Sequence, residues 1–185
     1  MLEIPIKFVV NQINSCLSDI KVNAVKIGML HNSNLVSAVY KTLSENGIIE
    51  NDQIKIILDP VMVAKGGATL LEIDAIDTIR KDLIQVADVL TPNLPEAALL
   101  TNCDIATTKS EMLTQGRRLL DLGPKAVYIK GGHLNSKNSP DLLITRNDEI
   151  FKRRLDRYKY HIRYPERPFE EYRRDVSEFL NEYNV

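Results

Sequence analysis

Apolar and polar residues alternate along the first 130 positions between two periods. Phe8, Val9, Ile13, Cys16 and Leu17 recur at helical spacing, and the run Ala24-Val25-Lys26-Ile27-Gly28-Met29-Leu30 then reads as a strand. Residues from about Ser33 to Glu45 return to the helical period and stop at Asn46-Gly47, a C-terminal signal. Ile54-Lys55-Ile56-Ile57-Leu58 is nearly continuous in apolar residues, the pattern of a strand covered on both faces. Thr69 and Glu72 have capping-box spacing and open a helix to about Ile84. Ala87-Asp88-Val89-Leu90 predicts the next strand, and a short helix follows from Pro95. Thr108 and Glu111 repeat the capping-box spacing before a helix that ends at Leu122-Gly123-Pro124, and Ala126-Val127-Tyr128-Ile129 is the fourth strand. Strands separated by helices require crossover connections, so the fold class is α/β with a mostly parallel sheet.

Near residue 146 the pattern changes. Residues 133–185 contain no glycine, and five of the seven tyrosines and three of the four phenylalanines lie beyond residue 150. Phe169, Tyr172, Val176, Phe179, Leu180 and Tyr183 recur at helical spacing after Pro168. The expected organisation is therefore a domain over 1–145 and a charged, aromatic-rich tail over 146–185, partly helical.

Composition narrows the function classes. A formal net charge of −1 gives no electrostatic case for nucleic acid or an anionic membrane surface. The tail interleaves basic residues with tyrosines, but its acidic residues almost cancel them, as on a solvated face. No apolar stretch approaches the roughly 20 residues needed to span a bilayer. The N-terminus lacks the basic region and cleavage site of a signal peptide, so a cytoplasmic protein is expected. Cys16 and Cys103 have no Cys or His at metal-ligand spacing.

Three pieces carry candidate chemistry, each an apolar run that stops at a polar or Gly-rich turn. They are Asp59-Pro60, Thr91-Pro92-Asn93-Leu94-Pro95-Glu96, and Lys130-Gly131-Gly132-His133. In an open parallel sheet such turns lie at the carboxyl ends of the strands, where ligands bind. Asp59 offers a hard oxygen ligand suited to Mg²⁺, although an isolated Asp-Pro is more often a turn. Asn93 and Glu96 can face one ligand from a first helical turn, and they equally fit an N-cap with its N3 partner. The two glycines after Lys130 would let backbone N–H groups approach phosphate oxygens. Ala64-Lys65-Gly66-Gly67-Ala68 lacks the P-loop spacing.

Together and in this order the pieces resemble the hydroxymethylpyrimidine/phosphomethylpyrimidine kinases of thiamine biosynthesis, members of the ribokinase-like superfamily. The segments that carry the likeness are Ala24 to Leu30, Asp59-Pro60-Val61-Met62-Val63-Ala64-Lys65, Thr91-Pro92-Asn93-Leu94-Pro95-Glu96-Ala97 and Lys130-Gly131-Gly132-His133-Leu134. The likeness runs from about Phe8 to Thr145. It implies a partial ribokinase-like three-layer sandwich that uses ATP and Mg²⁺ to phosphorylate a small pyrimidine alcohol or its monophosphate. It implies that Asp59 and Glu96 organise the metal and that Thr91, Asn93 and Lys130 contact the nucleotide.

The family also has an N-terminal Gly-rich substrate segment and a Gly-Thr-Gly-Cys anion hole after the region matched here. Neither has a counterpart in these 185 residues, so no catalytic residue is assigned and weak or absent turnover is expected. A non-catalytic remnant, or half of a split kinase completed by a second chain, are the alternatives. A sheet lacking strands at both sides would leave edges that favour a homo-oligomer or a complementing chain.

Overall fold

In a computed structural model, residues 4–62, 71, 73–132, 140–147 and 149–153 are described. The capping box of Thr69 and Glu72, the Gly66-Gly67 loop and the terminal helix after Pro168 lie outside them.

Local signals place the helices. Helix α1 (Ile6–Asp19) starts after Pro5, whose ring fixes an extended entry. Helix α2 (Ser33–Glu45) begins where the Asn32 side chain accepts the Leu35 N–H and stops at Asn46-Gly47, where Gly47 has φ +68°. Helix α3 (Ile73–Thr78) continues as a π-turn over Ile79–Leu83 and a 3₁₀ turn over Ile84–Val86. Helices α4 (Leu94–Thr101) and α5 (Lys109–Asp121) each open with a complete capping box, Asn93 with Glu96 and Thr108 with Glu111.

Among the described residues six strands form one sheet in sequential order: β1 (Ala24–Ile27), β2 (Lys55–Leu58), β3 (Val89–Leu90), β4 (Ala126–Ile129), β5 (Pro140–Thr145) and β6 (Glu149–Arg153). The first four are parallel, with Ile27 opposite Leu58, Leu58 opposite Leu90 and Leu90 opposite Val127. Then β5 returns antiparallel to β4, and β6 antiparallel to β5. The expected α/β architecture is present, with an antiparallel hairpin added beyond it. That hairpin carries the sheet past residue 145 to Arg153. Strand β1 is shorter than its apolar run, since Gly28 to Leu30 leave the ladder.

The interior explains the pattern of runs. Ile56, Leu58, Leu90, Val127 and Ile129 of the strands are buried against Val36, Leu43, Leu83, Ile84, Met112 and Leu119 of the helices. Each such side chain contributes about 1.5–3 kcal/mol by leaving water. Helix α5 lies on β4 and β5. Gly116 permits that approach, because a Cβ there would meet Leu142 and Ile144 at 3.2 Å. At the strands' amino ends, Asp88 accepts the Ile56 N–H at 2.7 Å and pairs with Lys125 at 2.8 Å, tying β2, β3 and β4 together. No helix among the described residues is long and apolar enough to cross a membrane.

Candidate functional site

The ends of β2, β3 and β4 carry the chain's chemistry to one edge of the sheet. Asp59 follows β2 directly, and its backbone N–H donates to Ile27 of β1 at 2.8 Å. Thr91 follows β3 and donates its N–H to Leu58 O at 2.9 Å. Asn93 and Lys130 then form an isolated parallel bridge past the formal ends of β3 and β4, and the Lys130 N–H reaches Pro92 O at 2.8 Å. The four segments are thus held side by side by main-chain bonds.

Side chains converge on Asp59. The Lys130 ammonium donates to Asp59 Oδ1 at 2.8 Å and lies 4.0 Å from Glu96 Oε2. From the other side Lys26 of β1 reaches Asp59 Oδ2 at 3.3 Å. Glu96 is 2 % exposed. Its Oε2 accepts the Asn93 N–H at 2.8 Å, and the Met62 N–H also bonds its carboxylate. The Asn93 side chain accepts the Glu96 N–H at 2.8 Å in return.

The two carboxyls are driven apart in acidity. Burial pushes Glu96 above the usual glutamate range, and the charge of Asp59 adds to the rise. The Asn93 and Met62 N–H groups and Lys130 pull against it without prevailing. Burial acts on Asp59 in the same upward direction. There the hydrogen bonds and charges of Lys130 and Lys26 together outweigh it and hold the carboxyl below 3.8.

Of the residues singled out from the sequence, Asp59, Glu96, Asn93 and Lys130 meet in one cluster, and Thr91 stands beside it on the β2–β3 ladder. The expectation for the Lys130-Gly131-Gly132 turn needs correction at Gly131. Its N–H does not face open space for phosphate but donates to Asp141 Oδ1 at 2.8 Å. Its missing side chain leaves room for the Pro140 carbonyl, which a Cβ would strike. The sequence reading gave no role to Lys26 or Asp141. Lys26 stands within an apolar run, and Asp141 belongs to a strand that was not recognised. A turn signal, Arg146-Asn147-Asp148 between two apolar runs, was the available clue to that hairpin.

Among the described residues no group of three His, Cys, Asp or Glu could hold a metal ion. A cavity of about 540 Å³ lies elsewhere, lined by Arg117, Asp121, Thr145 and Arg146 among others. Thr145 pairs with Ala126, the first residue of β4, so that cavity is at the opposite strand ends from the cluster.

Comparison with known proteins assigns the chain to a family. The family model described as phosphomethylpyrimidine kinase matches residues 1–161. The hydroxymethylpyrimidine/phosphomethylpyrimidine kinase of Salmonella typhimurium is 44% identical over 142 residues, covering 77% of this chain and 52% of the relative. That of Escherichia coli is 45% identical over the same length and coverage. The chain thus spans about half the length of these curated relatives. Phosphomethylpyrimidine kinase from Clostridium difficile superposes with a TM-score of 0.72 at 32% identity, over 82% of this chain and 62% of that one. Staphylococcus aureus pyridoxal kinase in complex with ADP gives 0.68 at 28%, over 79% and 51%. The shared architecture is the ribokinase-like α/β fold, and the chain belongs to the phosphomethylpyrimidine kinase family.

Proposed function

We propose that this chain binds ATP with Mg²⁺ at the carboxyl ends of β2, β3 and β4, and carries the nucleotide-handling part of a hydroxymethylpyrimidine/phosphomethylpyrimidine kinase. The observation that supports it most is the placement of Lys130 2.8 Å from Asp59 and 4.0 Å from Glu96, which brings together two strand ends and the first turn of α4. Two carboxylates gathered around one ammonium group form a site that already balances a positive charge. The donors fit Mg²⁺, a hard cation that takes one or two carboxylates and completes its shell with waters and phosphate oxygens. Asp59 and Glu96 would hold it, and when bound it supplies charge neutralisation on the phosphate oxygens.

The chain's own residues then have separable tasks. Lys130 presents a positive charge to phosphate oxygens, and its backbone is held by Pro92. Asn93 caps α4 and directs the N-terminal end of that helix toward the cluster, where partial positive charge favours an anion. Thr91 fixes the turn between β3 and α4 through Leu58. The acceptor in this reading is the hydroxymethyl group of a pyrimidine or its monophosphate. Residues 133–185 contain neither Gly nor Cys to supply an anion hole of the Gly-Thr-Gly-Cys kind, so weak or absent turnover by these 185 residues accompanies the proposal.

Calorimetric titration of the purified chain with Mg-ADP and Mg-ATP, beside a phosphoryl-transfer assay with hydroxymethylpyrimidine phosphate, tests it. Binding that disappears with EDTA and in Lys130→Met and Asp59→Asn is the expected result. A folded chain with no nucleotide binding would overturn the reading. Turnover abolished by Glu96→Ala would show that transfer proceeds without a Gly-Thr-Gly-Cys loop in these 185 residues.

A further inference from the structure

Strand β5 begins against the turn that carries Lys130. The Pro140 carbonyl fills the space where a side chain on Gly131 would be, and Gly131 is buried. The next residue, Asp141, is 6 % exposed and makes two bonds to β4 and its extension. Its Oδ1 accepts the Gly131 N–H at 2.8 Å, and its Oδ2 accepts the Tyr128 hydroxyl at 2.7 Å. These two partners flank Lys130 in sequence. Lys130 itself is bonded through its N–H to Pro92 at 2.8 Å.

A lysine side chain has four rotatable bonds, so its ammonium is placed only as well as its backbone is held. The backbone of Lys130 is fixed on one side by Pro92 and on the other by Asp141. Both bonds lie next to the residue whose ammonium must reach Asp59. A carboxylate acceptor suits this task, since a charge-assisted bond to N–H is about twice as strong as a neutral one.

We propose that Asp141 is a positioning residue for Lys130: it clamps the Tyr128 to Gly131 segment so that the lysine ammonium is delivered to Asp59 and Glu96. The proposal rests on the reading of Lys130 as the cation that faces the nucleotide. It makes the antiparallel hairpin part of the site, although no hairpin side chain touches Asp59 or Glu96 among the described contacts.

The test uses the full chain with isotope-labelled lysine, the Lys130 Nζ signal being assigned by Lys130→Arg, and Mg-ADP affinity by calorimetry. Asp141→Ala is expected to move the Lys130 signal toward that of an exposed lysine and weaken Mg-ADP binding about tenfold. The signal of Lys125, paired with Asp88 at the other end of the sheet, should stay in place. Asp141→Asn keeps an acceptor for Gly131 and should restore affinity to within about threefold of the parent. An unmoved Lys130 signal in folded Asp141→Ala would overturn the proposal. So would an equal displacement of Lys125, or an Asn variant as impaired as the Ala variant. Should Asp141→Ala fail to fold, Tyr128→Phe, which removes one of the two Asp141 bonds, decides by the same readout: a Lys130 signal moved toward that of an exposed lysine supports the clamp and an unmoved one refutes it. If the parent chain binds no Mg-ADP, the nucleotide reading fails, while the Lys130 signal still decides the clamp.

Discussion

Glu96 and Glu111 occupy the same place in the same local motif. Each stands three residues after an N-cap whose side chain accepts its N–H, and each returns a carboxylate oxygen to the N-cap backbone. Their surroundings differ. Glu96 is buried beside Lys130 and also takes the Met62 N–H. Glu111 lies on the surface and takes bonds from Thr107 and Thr108. Burial raises the pKa of Glu96, whereas the Thr107 and Thr108 hydrogen bonds lower that of Glu111, where burial has almost no weight. A capping box is therefore a statement about a helix end alone. Whether its glutamate can also serve a ligand depends on what tertiary packing brings to it.

The comparison can be broken most sharply at Glu96. Glu96→Ala leaves the Asn93 and Met62 N–H groups without their acceptor in a buried place, at a cost of about 2–4 kcal/mol in urea unfolding. The same variant should abolish Mg²⁺-dependent nucleotide binding in titration calorimetry. A loss below about 1 kcal/mol would mean that water replaces the carboxylate, and Glu96 would then resemble Glu111 after all.

At the N-caps the two motifs should behave alike in stability and differ in binding. Asn93→Ala and Thr108→Ala each remove one side-chain acceptor and should each lower stability by about 1 kcal/mol. Only Asn93→Ala should weaken nucleotide binding, because only α4 points at the cluster. Equal affinities in the two variants would remove α4 from the site.

Titration gives the third contrast, with opposite signs. Glu96 has a folded value above 4.5, so the folded state holds the extra proton and its contribution is present at low pH. That contribution is lost as pH rises from about 4.5 through the folded value, and Glu96→Gln should remove this loss. Glu111 has a folded value below 4.5, so its contribution is present above 4.5 and lost as pH falls through the folded value. Glu111→Gln should flatten that acid-side decline. Urea unfolding of the parent and both variants from pH 3 to pH 7 measures the two slopes; slopes of the same sign would contradict the burial argument. The smallest effect belongs to Glu111→Ala, which should shift the midpoint of thermal unfolding less than any change above and leave nucleotide affinity unaltered.

Much of this was legible in the chain. Helix α2 has the bounds read from Ser33 to Glu45 and the Asn46-Gly47 stop, because caps and left-handed glycines act within a few residues of themselves. The apolar run at β2 and the capping boxes of α4 and α5 were equally local. The β5–β6 hairpin escaped for the opposite reason. Strand β5 is buried along most of its length and shows no alternation, and its apolar run is only Leu142-Leu143-Ile144, preceded by Pro140 and Asp141. Its place depends on Gly131, nine residues earlier, having no side chain to obstruct Pro140.

The same division separates the site residues. Near neighbours alone put Asp59 and Lys130 at the ends of predicted strands, and Asn93 and Glu96 at the start of a predicted helix, in a kinase-like order, since strand ends and N-caps are local features. Folding in three dimensions was needed for Lys130 to cross 71 positions to Asp59, for Glu96 to be buried while Glu111 is not, and for Asp141 to accept the Gly131 N–H beside Lys130. Those facts depend on which strands lie side by side. The parallel ladder and the long-range burial that drives it fix that arrangement, and no local spacing records it.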